Sequence, residues 1–141
     1  MAKPELDLGG GPKILVVDDE PLIADSLALI LQDHGYNARA AYSGADALTK
    51  AETFTPELLL TDIVMSDLDG IQVAIRLCEL WPSCKVLFMS GHVFTSDSKL
   101  AEGVAFAFDF AEKPTHPIEL LRRIRTLLFA QSEPSANVME K

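Results

Sequence analysis

Glu57-Leu58-Leu59-Leu60-Thr61-Asp62 is a short apolar run that ends abruptly on one acid. A run with no polar alternation is covered on both faces, the environment of a central strand in a parallel sheet. Open parallel sheets build their sites at the carboxyl ends of their strands, which is where Asp62 falls. Two more runs end the same way: Lys13 to Val17 delivers Asp18-Asp19-Glu20, and Lys85 to Met89 delivers Ser90. If these three strands are parallel neighbours, their polar ends share one rim.

The rest of the chain fits that arrangement. Pro21 suits the first turn of a helix and the acids before it suit the helix dipole, so a first helix starts there, with Ile23, Leu27, Ile30 and Leu31 as its stripe and Gly35 as its end. Asn37 to Ala41 reads as a weak second strand. Ser43 caps a helix to about Glu52, with Ala45, Ala47, Leu48 and Ala51 inward. Met65 to Gly70 is dense in turn formers, and a third helix from about Gly70 to Leu80 stops at Trp81-Pro82. After the Ser90-Gly91-His92 turn, Thr95 to Gly103 reads as a polar fourth helix. Phe106, Phe108 and Phe110 alternate with Ala107 and Asp109, the period of a fifth strand, closed by Lys113-Pro114. A fifth helix from Pro117 to about Phe129 turns Ile118, Leu121, Ile124 and Leu128 inward and Arg122, Arg123 and Arg125 mostly outward. Five alternations of strand and helix predict an α/β fold, a single doubly wound five-stranded parallel sheet with helices on both faces.

Residues 13–130 form the one domain expected of this chain, because 141 residues that are 48% hydrophobic bury one ordinary core. Residues 1–12, ending in a glycine triplet and Pro12, read as a flexible arm, and 131–141 as a polar tail. The triplet precedes the first strand rather than following it, so it is no phosphate loop. A net charge of -9 disfavours direct contact with nucleic acid or an anionic membrane surface. Cys78 and Cys84 have neither disulfide-framework nor zinc spacing. No apolar stretch reaches the ~18 residues that span a bilayer, and the acidic start has no signal-peptide pattern, which together predict a cytoplasmic protein.

Asp18, Asp19 and Asp62 gathered at one rim repel one another; at ~5 Å and an effective dielectric near 20, each pair costs about 3 kcal/mol. A hard divalent cation with oxygen ligands, Mg²⁺ in particular, offsets that while leaving positions for phosphate oxygens. Ser90 could donate to one phosphoryl oxygen and the Lys113 ammonium could neutralise another, so the set describes phosphoryl transfer with a carboxylate as nucleophile. Singly, each residue has a plainer reading. An acid after a strand caps a helix, Ser90 is a turn serine, Lys113 is a surface lysine and Phe110 is core. Only the set favours chemistry.

With these motifs in this order, the chain from about Lys13 to Phe129 resembles the receiver domain of two-component response regulators, a flavodoxin-like fold. The resemblance rests on Asp18-Asp19, on Asp62 followed by Met65 and Asp69-Gly70, on Ser90-Gly91 and on Lys113-Pro114. It implies that Asp62 takes a phosphoryl group from a phosphohistidine on a sensor histidine kinase or histidine phosphotransfer protein. It implies Mg²⁺ on Asp19, Asp62 and the Val64 backbone carbonyl, with Asp18 assisting through water. Ser90 and Lys113 would hold phosphate oxygens, Phe110 would be the aromatic that turns inward as Ser90 moves, and Lys113-Pro114 would be a cis peptide. His92, two residues past Ser90, could border the phosphate and tune its lifetime, or be a solvated loop histidine.

The implied role is a switch without an output domain in this chain. It is not an enzyme beyond its own phosphorylation and dephosphorylation, and it signals to a downstream protein through the face of the fourth helix, fifth strand and fifth helix. Ser66 stands where the family has proline, which predicts a looser loop after Asp62, and the interval from Ser90 to Lys113 is slightly long. Two other readings stay open: an interaction module not controlled by phosphorylation, and the receiver part of a larger regulator. A phosphatase with an aspartyl nucleophile needs a DxDx(T/V) motif after the first strand, which Asp18-Asp19-Glu20-Pro21 does not supply.

Overall fold

The computed structural model describes residues 10–91, 106–113 and 115–129. Five parallel strands form one sheet: β1 (Lys13–Val17), β2 (Asn37–Ala41), β3 (Leu58–Asp62), β4 (Lys85–Ser90) and β5 (Phe108–Glu112). The order across the sheet is β2-β1-β3-β4-β5. The helices described are α1 (Pro21–Asp33), α2 (Gly44–Phe54), α3 (Gly70–Leu80) and α4 (Pro117–Phe129), the last being the fifth helix expected from the sequence. The helix expected over Thr95 to Gly103, as well as His92 and Pro114, lie outside the described residues.

The unbroken apolar strands are covered on both sides. Ile14, Val16, Leu58, Leu60, Leu87 and Met89 pack under α1 and α4. Leu15, Val17, Leu59, Val86 and Phe88 pack under α2 and α3. Burying a Leu, Ile, Val or Phe side chain contributes about 1.5–3 kcal/mol each, so these central strands hold much of the stability. Register aligns their carboxyl ends: Val17 lies beside Ala41 and Thr61, Asp62 beside Met89, and Ser90 beside Glu112.

Helix starts and stops follow the local chemistry. Pro21 opens α1, and Gly35, at φ +93°, takes the left-handed conformation that lets the chain leave it. Ser43 caps α2 by accepting from Asp46 N, and Asp69 caps α3 by accepting from Ile71 N and Gln72 N. Pro12 already accepts a bond from Asn37 N at 3.0 Å, extending the β1 to β2 ladder. On the open side of β2, the Gln32 amide and the Lys50 ammonium donate to the carbonyls of Ala38 and Ala40 at 2.8 and 2.9 Å.

Two apolar stripes sit a step away from their expected positions. In α1 the fully inward residues are Ala24, Ala28 and Leu31, with Ile23, Leu27 and Ile30 flanking them half-buried, because small residues let the helix approach the sheet closely. In α4, Leu120, Ile124, Leu127 and Leu128 are buried, whereas Ile118, expected inward, is 68% exposed. Ala45 of α2 is likewise exposed, and Phe54 packs instead.

Candidate functional site

The sheet order reverses at β1 and β3. The helix after β1 covers one face and the helix after β3 the other, so the loops leaving the two strands diverge and open a crevice between them. Asp18 follows β1 directly and Asp62 ends β3, which puts both acids in that crevice. Asp18, Asp19 and Asp62 each present a carboxylate oxygen within 4.8 Å of the others.

Each acid is fixed by its surroundings. Asp18 is buried, 1% exposed; its N–H donates to Ala41 O at 3.2 Å and its Oδ1 accepts from Glu20 N at 2.9 Å. Asp19 Oδ2 accepts from the main-chain N–H of Ser66 at 3.0 Å. Asp62 is held through its neighbours, with Ile63 N donating to Met89 O at 3.0 Å and Thr61 Oγ1 to Asp62 O at 3.0 Å. Gly70 must be glycine: a Cβ there would collide with the Asp62 carbonyl oxygen, and Gly70 N donates to Ile63 O at 2.7 Å.

The cation comes from the far end of the chain. Lys113 N donates to Ser90 O at 2.7 Å, which anchors the residue after β5 against the end of β4. Its Nζ then reaches Asp62 Oδ2 at 3.0 Å and Asp18 Oδ2 at 3.2 Å. Partial burial would lower the Lys113 pKa, but the hydrogen bond and charge of Asp62, reinforced by Asp18, outweigh it and hold the ammonium above its ordinary value. Three carboxylates face one ammonium, so the site keeps an excess of negative charge.

That excess, and the all-oxygen donor set, fit Mg²⁺. Opposite ligands of an octahedral ion with ~2.1 Å bonds lie about 4.2 Å apart, the scale of this cluster. Both Asp18 oxygens already have protein donors, which suits a partner that contacts the ion through water, while Lys113 takes Oδ2 of Asp62 and leaves Oδ1. Val64 lies two residues after Asp62 with its side chain exposed.

The other expected residues occupy the same rim or the strand beside it. Ser90 ends β4, 8% exposed and joined to Lys113 through the backbone. Phe110 pairs in register with Phe88, their rings stacked at 5.3 Å, and Phe106 and Phe108 pack on the same face. Arg123, expected mostly outward, instead ties α4 to β5 by bonding Asp109 at 3.0 Å and the Phe110 carbonyl at 2.9 Å. His34 Nδ1 sits 2.9 Å from Ile30 O at the end of α1.

Three features escaped the sequence reading. Ser66 gives its N–H to Asp19, and Asp67 accepts from Gly44 N and Ala45 N at 3.0 Å each, so the loop after Asp62 is braced rather than loosened. His116 caps α4, its Nδ1 accepting from Ile118 N at 3.1 Å. His116, directly before Pro117, stands at a position that could have been read as a cap, whereas Asp67 bonds a helix 22 and 23 residues earlier in the chain and a main-chain donor carries no residue signature.

Comparison with known proteins agrees with this geometry. The family model of the response regulator receiver domain matches residues 14–125. Similar proteins include the transcriptional regulatory protein CreB of Escherichia coli, 32% identical over 115 residues, covering 82% of this chain and 50% of CreB. The alkaline phosphatase synthesis transcriptional regulatory protein PhoP of Bacillus subtilis is 35% identical over 116 residues, covering 82% of this chain and 48% of PhoP. The chain thus spans about half the length of these relatives. Among solved structures, a CheY-like response regulator receiver domain protein from Methanospirillum hungatei superimposes with a TM-score of 0.78 at 30% identity, covering 88% of this chain and 98% of that one. The five-stranded parallel sheet, the acid cluster at its switch point and the match over most of the sequence lead to one conclusion: the chain belongs to the response regulator receiver domain family.

Proposed function

We propose that residues 13–130 act as a phosphorylation-controlled switch in which Asp62 accepts a phosphoryl group from a phosphohistidine on a sensor histidine kinase or histidine phosphotransfer protein. The observation that carries this reading is the Lys113 ammonium bridging Asp62 and Asp18 at 3.0 and 3.2 Å beside Asp19. Lys113 holds Oδ2 of Asp62 and leaves Oδ1 as nucleophile. That oxygen bonds to phosphorus as the P–N bond breaks, and the electron pair of that bond stays on the donor imidazole.

Lys113 and the Ser90 hydroxyl then hold oxygens of the transferred group, and Phe110 follows Ser90 inward. Asp19, Asp62 and the Val64 carbonyl, with Asp18 through water, would hold Mg²⁺, which would supply neutralisation of charge on the phosphoryl oxygens. The domain turns over no separate substrate. Its signal leaves to a downstream protein through the β5 and α4 edge, which Lys113 and Ser90 connect to Asp62, and coupling of this kind is worth ~1–3 kcal/mol.

The net charge of -9 argues against direct binding of nucleic acid or an anionic membrane surface, and among the described residues no helix is long and apolar enough to cross a membrane. A cytoplasmic location fits the reading. Treatment with acetyl phosphate and Mg²⁺ followed by intact-mass measurement should show one added phosphoryl group, abolished in Asp62→Asn. Equal labelling of the variant would reject Asp62 as acceptor.

A further inference from the structure

We infer that the main-chain N–H of Ser66 is a positioning group for the metal centre, holding the Asp19 carboxylate by Oδ2 so that its other oxygen meets Mg²⁺ together with Asp62. The bond is 3.0 Å long and joins two loops 47 residues apart in sequence. Asp19 has no strand to fix it: it lies beyond the end of β1, half-buried, on the turn into α1. The donor, by contrast, sits on a braced segment. Asp67, the next residue, clasps the first two N–H groups of α2 at 3.0 Å each, and Asp69 caps α3, so the Ser66 amide is placed before any ion arrives.

A carboxylate has about four lone-pair sites, enough for an N–H on one oxygen and an ion on the other. Hydrogen bonds of this kind orient ligating carboxylates, and their loss typically costs 10–100-fold in metal affinity. Any residue except proline supplies the donor, so the serine hydroxyl is irrelevant and proline, the family's residue at this place, removes the bond.

The inference rests on the Mg²⁺ reading above, and calorimetric titration of the full chain with Mg²⁺ separates the two. Wild type and Ser66→Ala should bind with equal affinity, and Ser66→Pro about 10-fold more weakly. In wild type the Ser66 amide should be protected from hydrogen exchange without Mg²⁺ and stay protected at saturation. Ser66→Pro binding as tightly as wild type, Ser66→Ala weakening as much as Ser66→Pro, or an amide that loses protection when the ion binds would each overturn the positioning role. Should Ser66→Pro fail to fold, the exchange measurement decides alone. No binding by wild type would remove the metal site itself, and the positioning role with it.

Discussion

Leu59 and Asp62 lie three residues apart on one strand, yet their surroundings oppose each other. Leu59 is fully buried among Leu15, Val86 and the α2 and α3 side chains, each contact adding to stability. Asp62 sits where three carboxylates are gathered and one ammonium bridges two of them, an arrangement that repulsion resists. The bodies of β1, β3 and β4 supply the free energy that lets their ends stay crowded. Such a division predicts that activity and stability can be changed separately, since sites built under strain give up stability for function.

The widest separation should come from the body. Leu59→Ala should lower unfolding free energy by about 2–5 kcal/mol in denaturant titration while leaving Asp62 phosphorylation intact at temperatures where the variant stays folded. Loss of labelling in a folded variant would show that the core and the rim are not separable.

A smaller effect, carried by the rim, should follow removal of its cation. Lys113→Met should cost about 1–3 kcal/mol without Mg²⁺, between the limits for exposed and buried pairs, and added Mg²⁺ should recover part of it. Because the folded-state pKa of Lys113 is raised, its stabilising contribution is fully present below the ordinary lysine value and is lost only as pH rises through the raised one. The difference between Lys113→Met and wild type should therefore stay constant from about pH 6 to 9, and a change within that window would point to a different partner.

The smallest effect should have the reverse sign. Metal-free Asp62→Asn should melt at the same temperature as wild type or slightly higher, because one of three crowded charges is gone. In wild type, Mg²⁺ at ten times its dissociation constant should add about 1.4 kcal/mol. A clear drop in the melting temperature of Asp62→Asn would mean that its bond to Lys113 outweighs the repulsion, and the contrast between strand body and strand end would narrow.

Strands that end abruptly on acids, a proline opening α1 and a serine capping α2 were legible in the sequence because each is a local signal. The meeting of Lys113 with Asp18 and Asp62 was legible only as a set, since 95 and 51 residues separate the partners and no single one points to the others. The phase of α4 was legible only in part: Ile124 and Leu128 are buried and Leu121 packs beside them as expected, whereas Ile118 is exposed and Leu120 and Leu127 are buried in addition. Ile118, Leu120, Leu121, Ile124, Leu127 and Leu128 spread apolar side chains over a wide arc, and only the sheet decides which of them it covers. Nor could residue type show that Ala24 and Ala28, weak in hydropathy, would be the innermost residues of α1. The Ser66 bond was hidden for another reason: its donor is backbone, common to every residue but one.

Gln32 and Lys50 have a consequence at the opposite margin from Lys113. By occupying the outward carbonyls of β2, they leave an approaching strand from a second molecule no acceptors there without first displacing an amide and a charged amine. Pairing with a second molecule along that border is therefore disfavoured, which guards one edge of the sheet against strand-by-strand growth.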